Sequence, residues 1–327
     1  MMAFSGVLVS KFGSRKMILL AEVLYAFVLF CMGSSSTVFQ LILSLVAFGM
    51  MANLMNIATN TQACLVEKMY GRNIMSSFHG LWSLGGFSGG IIGAVFANTL
   101  LPIEAHFGAV LVMSLLIIAI GFRYLVDDAT AKAEEEDVPK FSFKTIDPIL
   151  FLLGLMGFAG MFCEGTVYDW SGVYFSSVVK PDEAFIRAGY VAGMGAMTLG
   201  RFLADGFVTK YGPARVLKVC GGLIVGGLWL AAALPYLIPA TLGFLLVGFG
   251  ISSSVPICYS IAGKLGTIKA SIAITIVSSI SFFGFLVGPP VIGWLAEATG
   301  LRIAISIAAC LGLMIAFVAA KVGKRIS

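Results

Sequence analysis

Three asparagines inside one apolar run are the first residues whose spacing could do chemistry. Asn53, Asn56 and Asn60 stand at i, i+3 and i+7, within about 60° of one another around an α-helix. An amide both donates and accepts, so such a stripe can line a cavity and hydrogen-bond a polar solute. The same groups can instead bond between helices, at less than ~2 kcal/mol per pair. Glu164 stands 17 residues after Asp147, which with Pro148 reads as a helix N-cap followed by the first helical residue. At ~1.5 Å per residue it is ~25 Å along its helix, in the outer third of a bilayer. A carboxylate there could carry a proton or contact a solute, form a gating pair, or sit wetted at the mouth. Tyr168, one turn on, would be its hydrogen-bonding neighbour. His79, with Trp82 and Ser83 close by, is a packing residue or a solute contact. Ser252, Ser253 and Ser254 precede Pro256, so Ser254 lies on a proline-loosened helix that faces a cavity or packs against a neighbour.

Other chemistries find little support. All six cysteines fall in apolar runs without CxxC spacing, so they read as small buried residues rather than disulfide partners or metal ligands. No nucleophile stands with a base and no ligand set has metal spacing, so neither an enzyme nor a metal or cofactor site is expected. Gly85, Gly89 and Gly93 in "GGFSGGIIG" follow no strand, which argues against a nucleotide loop. Their four-residue steps, repeated by Gly284 and Gly288, suit close helix packing.

The elements that position these groups are long apolar helices. The 327 residues are 59% hydrophobic and 11% charged with a mean hydropathy of +1.01, against roughly 25% charged in soluble domains. Ten runs can span ~30 Å of hydrocarbon: 17–33, 38–66, 74–101, 105–124, 147–175, 185–208, 214–236, 239–263, 269–295 and 301–320. Continuous rather than alternating runs exclude a barrel. If Lys11, Arg15 and Lys16 face the cytoplasm, eighteen of the 21 Lys and Arg do, leaving only Lys180, Arg187 and Arg302 outside. That is the positive-inside bias, and it makes the C-terminus cytoplasmic.

The chain also repeats itself. "SKFG" aligns with "TKYG", placing Gly13 on Gly212; "LVAFG" at 45–49 aligns with "LVGFG" at 246–250; and "GGIIG" at 89–93 lies over "PPVIG" at 289–293. Offsets of 199, 201 and 200 residues in order mark a duplicated half. The halves are expected at 1–124 and 147–327, joined by a charged cytoplasmic link at 125–146 that contains "AEEED". The counterpart of the span at 147–175 would precede Met1, and residues 1–9 read as the tail of a second helix, only ~13 Å long. The chain is therefore expected to lack its first helix and most of its second.

The basic loop after the second helix of each half resembles that of the major facilitator superfamily, whose pattern is met by Gly6, Leu8, Lys11, Gly13 and Arg15, with Ser10 where the family has an acid. "GRFLADGFVTKYGPARVL" carries Arg201 and Asp205 before the second loop, and "GFLVGPPVIGWLAEATGLR" resembles the family's eleventh helix. "FHGLWSLGG" and "CEGTVYDWSGVYF" are similar to its YbjJ-type bacterial inner-membrane branch, near sugar permeases. The resemblance implies an all-α polytopic membrane protein of six plus six helices, with Arg201, Asp205, Lys11 and Arg15 at an inner gate. Arg201 and Asp205 are i, i+4, so they could pair with each other; anchoring topology is the plainer alternative for them.

The expected function is secondary transport of a small polar organic solute, a sugar or sugar-like compound by the branch resemblance, by alternating access in the bacterial inner membrane, coupled to protons through Glu164. Its solute-binding residues would be Asn53, Asn56, Asn60, His79, Trp82, Glu164, Tyr168 and Ser254. The expected partners are solute, protons and the lipid bilayer, with no nucleic acid and no cofactor. Drug or metabolite efflux, and a non-transporting sensor or inactive fragment, are the alternatives.

Overall fold

The computed structural model describes residues 2–97, 99, 101–127 and 146–326. Its helices are α1 (Met2–Phe12), α2 (Ser14–Gly33), α3 (Val38–Tyr70), α4 (Met75–Ala97), α5 (Ile103–Gly121), α6 (Pro148–Tyr174), α7 (Ala188–Tyr211), α8 (Pro213–Ala233), α9 (Leu237–Ser252), α10 (Ser254–Lys264), α11 (Ala270–Thr299) and α12 (Leu301–Ile326). No strand occurs among the described residues. Each of the ten expected spans is helical over most of its described residues, and α1 is the short preceding piece. Most of the expected link, residues 128–145, lies outside the described residues.

Among the described residues, eight helical runs are long and apolar enough to cross a membrane. The 24-residue α7 is also long enough, but it carries Arg201, Asp205 and Lys210. Its polarity belongs to the site described below. The span expected at 239–263 is two helices, broken at Ser253 (φ −111, ψ −11). Pro256 has no N–H to donate to the Ser252 carbonyl, which removes one rung of the helix ladder there. Ser252 Oγ donates to the Phe249 carbonyl at 2.7 Å within the same loosened turn.

The two basic loops share one backbone geometry. Gly13 has φ 91 and ψ 150 and Gly212 has φ 79 and ψ 153. Each donates its N–H four residues back, to Val9 and Val208, at 2.9 Å. Side-chain-bearing residues rarely adopt this conformation, so glycine is required at both ends of the 199-residue repeat.

The chain divides into two compact units. One comprises Met1–Tyr70, Leu84–Ile146 and Gly263–Thr275. In it α2 packs on α3 and α5, and α1 packs on α3. Gln62 ties the start of the link to the first basic loop. Its Nε2 donates to Ser14 Oγ at 2.9 Å and to the Val126 carbonyl at 3.0 Å, and its Oε1 accepts from Val126 N at 3.0 Å.

The other unit comprises Gly71–Ser83, Asp147–Ala262 and Ile276–Ser327. There α8 packs on α9 and α12, α7 packs on α9, and α6 packs on α7, α9 and α12. Asp147 caps α6 as expected, accepting from Ile149 N at 3.0 Å with Pro148 at the first helical position. Glycine pairs Gly221/Gly312 and Gly227/Gly243 let α8 touch α12 and α9, because a Cβ on any of the four would meet the opposite carbonyl oxygen. Gly284 and Gly288 of α11 lie against Phe158 and Phe162 of α6 in the same way. The expectation for α4 is corrected: an added Cβ at Gly85 or Gly89 meets nothing within 4 Å, and at Gly93 only His106 at 3.9 Å.

Candidate functional site

A polar cluster inside the second unit gathers α4, α6, α7 and α10. Glu164 lies sixteen residues after Pro148 and fifteen before Val179, the end of the long helical run. It is therefore midway along that run. The 32-residue run is ~48 Å long, well beyond ~30 Å of hydrocarbon. Arg201 is likewise near the middle of α7, and both side chains are buried, at 8% and 4% exposure.

Arg201 does not pair with Asp205 as its i, i+4 spacing allows. Its Nη2 lies 3.5 Å from Glu164 Oε1, its Nη1 donates to Ser83 Oγ, and its guanidinium carbon stands 5.7 Å from the Trp82 ring centroid. Its Nε is buried without a partner. Two charges buried together are tolerable where each alone would cost several kcal/mol. His79 stacks obliquely on the fully buried Tyr259, centroids 5.9 Å apart, and both rings are within electrostatic reach of the pair. Tyr168 does not hydrogen-bond Glu164; its ring meets Tyr190 and Phe285 edge-on, at 5.8 and 6.2 Å.

Asp205 has a different role. It accepts from Ser76 N at 3.0 Å, Ser77 N at 2.7 Å and Ser77 Oγ at 2.5 Å. Asp205 supplies from α7 what an N-cap residue normally supplies locally, and its negative charge suits the positive helix end. Ser254 Oγ bonds the Gly250 carbonyl at 3.1 Å, and its Cβ is where a side chain on Gly160 would fall. It is placed in helix packing.

In the first unit the asparagine stripe is divided among three uses. Asn53 Oδ1 accepts from the buried Ser5 hydroxyl at 2.7 Å. Asn60 Nδ2 bonds the Asn56 carbonyl at 2.9 Å. Only Asn56 keeps a buried side-chain oxygen without a partner. Of the first loop's basic residues, Arg15 Nη1 lies 3.6 Å from Asp127 Oδ2, with its guanidinium over Phe122, while Lys11 is exposed beside Phe12. Sequence reasoning missed one pair here. Glu67, 1% exposed, meets Lys264 at 2.7 Å. An acid at the end of the asparagine helix was the available signal.

No group of His, Cys, Asp and Glu among the described residues could hold a metal. Bundled apolar helices around a buried ion pair define a polytopic membrane protein with an internal polar site. The Major Facilitator Superfamily profile matches residues 1–268. An uncharacterized MFS-type transporter of Yersinia pestis is 33% identical over 323 residues, covering 98% of this chain and 81% of that one. The chain belongs to the Major Facilitator Superfamily, a family of transporters. Solved structures agree in fold. The human organic anion transporter MFSD10 superposes with a TM-score of 0.77 at 16% identity, over 97% of this chain and 80% of that one. The E. coli fucose:proton symporter superposes at 0.69 and 14%, over 98% and 86%.

Proposed function

We propose that this integral membrane transporter is a proton-coupled secondary carrier of a small, sugar-like polar solute, working by alternating access in a bacterial inner membrane with its C-terminus in the cytoplasm. The observation that carries this reading is the mid-helix pair of Glu164 and Arg201. Proton uptake by Glu164 cancels its charge and releases the guanidinium, so one protonation event changes both the field and the hydrogen-bond donors of the site. The fold neighbour that is a fucose:proton symporter is consistent with such coupling. Asn56, with its spare buried oxygen, is the best placed of the asparagines to meet solute. The cytoplasmic gate comprises the Asp205 cap on α4 and the Glu67–Lys264 pair, with Lys11 and Arg15 on the first loop. Each joins a helix of the first sequence half to one of the second, apart from the first-loop residues.

The test is solute accumulation driven by a pH gradient in proteoliposomes holding the full chain. Glu164→Gln is expected to abolish uphill accumulation while retaining exchange of solute across the membrane. Unchanged gradient-driven accumulation by that variant overturns the coupling role.

A further inference from the structure

The guanidinium of Arg201 is incompletely used, and the unused part has a definite shape. Nη1 is occupied by Ser83 Oγ. Along the opposite edge, Nε has no partner although it is buried, and Nη2 reaches Glu164 only at 3.5 Å and through one oxygen. A charge-assisted N–H to O bond is typically about 2.7–2.9 Å, so this edge is under-filled. The Nε–Nη2 edge presents two parallel N–H groups, the fork that a carboxylate accepts with both oxygens. The Trp82 ring beside the guanidinium is 67% exposed, so it offers an apolar face to whatever approaches that edge.

We propose that the solute carries a carboxylate, which takes the Nε–Nη2 edge of Arg201 when Glu164 is protonated, while the rest of the solute stacks on Trp82. This rests on the proton-carrier reading and names its substrate class. The charges balance. Unloaded, the site holds Glu164 as carboxylate and Arg201 as cation. Loaded, it holds neutral Glu164, cationic Arg201 and the anionic solute. One proton and one negative charge move together, so transport is electroneutral and imposed membrane potential leaves its rate unchanged. The other titratable groups facing the pair are His79 on α4, Tyr168 on α6 and Tyr259 on α10.

The test is thermal stabilisation of the purified full chain by matched probes: D-glucuronate against D-glucose, and benzoate against benzamide. Each is measured at acidic and alkaline pH in the wild type, Glu164→Gln and Arg201→Lys. The carboxylates are expected to bind the wild type at acidic pH about tenfold more tightly than their neutral partners. Glu164→Gln should bind them at both pH values, and Arg201→Lys should lose the preference. Should Glu164→Gln fail to fold, the wild-type comparison at acidic pH stands alone. Equal binding of neutral and anionic partners, or no carboxylate binding at acidic pH, overturns the inference. Carboxylate preference that is the same at both pH values in the wild type supports the anion site at Arg201 and overturns its dependence on Glu164 protonation, and with it the proton reading.

Discussion

Asp205 of α7 caps α4: its carboxylate accepts the N–H groups of Ser76 and Ser77 at 3.0 and 2.7 Å. This one contact joins a helix of the second half to a helix of the first. Replacing Asp205 with Ala should cost about 0.5–2 kcal/mol, as loss of an N-cap does. If the cap is part of a gate, a cysteine at an exposed site in the Gly71–Asn73 turn should also become more reactive to a water-soluble thiol reagent. Thermal unfolding together with labelling rates checks both. Destabilisation without a change in labelling would assign Asp205 to stability alone.

The basic loops make a paired prediction. Gly13→Ala and Gly212→Ala each force a side chain into a backbone region nearly confined to glycine, at a cost of about 1–3 kcal/mol. Gly89→Ala, facing open space, should change stability by no more than about 0.5 kcal/mol. Denaturation midpoints of the three variants decide the matter. A tolerant Gly212 with a sensitive Gly89 would contradict the geometry.

Much of this fold is written plainly in the sequence, because an apolar run of about 20 residues in a chain this hydrophobic has few options besides a membrane helix. The repeat was legible for a related reason: Gly13 and Gly212 hold a conformation that other residues resist. The site was legible in its residues and not in its pairings. Arg201 and Asp205 are neighbours on one helix face, yet each is drawn to a partner on another helix, Glu164 and the α4 terminus. Spacing along one helix reports what can meet, whereas tertiary packing selects what does. The glycines of α4 failed because their pattern says that close approach is possible, not that a neighbour is present.

The proposal that Asn56 meets solute while Asn53 serves packing separates the two asparagines experimentally. Asn56→Ala should raise KM by about 2- to 12-fold, the equivalent of one hydrogen bond of about 0.5–1.5 kcal/mol. Asn53→Ala should lower stability by about 1 kcal/mol through the lost Ser5 bond, with little change in KM. Transport kinetics and unfolding measured on the same two variants check this. An Asn53 effect on KM larger than that of Asn56 would reverse the assignment.

Glu67 is buried and depends on Lys264, which is about a third exposed at 34%. Lys264→Ala should destabilise by about 1–3 kcal/mol through loss of the charge-assisted bond to this buried acceptor. The double variant Glu67→Gln with Lys264→Ala should recover most of that loss. A double-mutant cycle by thermal unfolding measures the coupling. Additive losses would show that the two side chains act independently.

Protonation of Glu164 is proposed to open its pair with Arg201, and Trp82, 5.7 Å from the guanidinium, is the natural reporter. The direct measurement is Trp82 fluorescence against pH in a chain whose Trp170, Trp229 and Trp294 are replaced by Phe. A transition in emission as pH falls, absent when Glu164→Gln is added, is the predicted result. A pH-independent signal, or a transition that persists in Glu164→Gln, would contradict it.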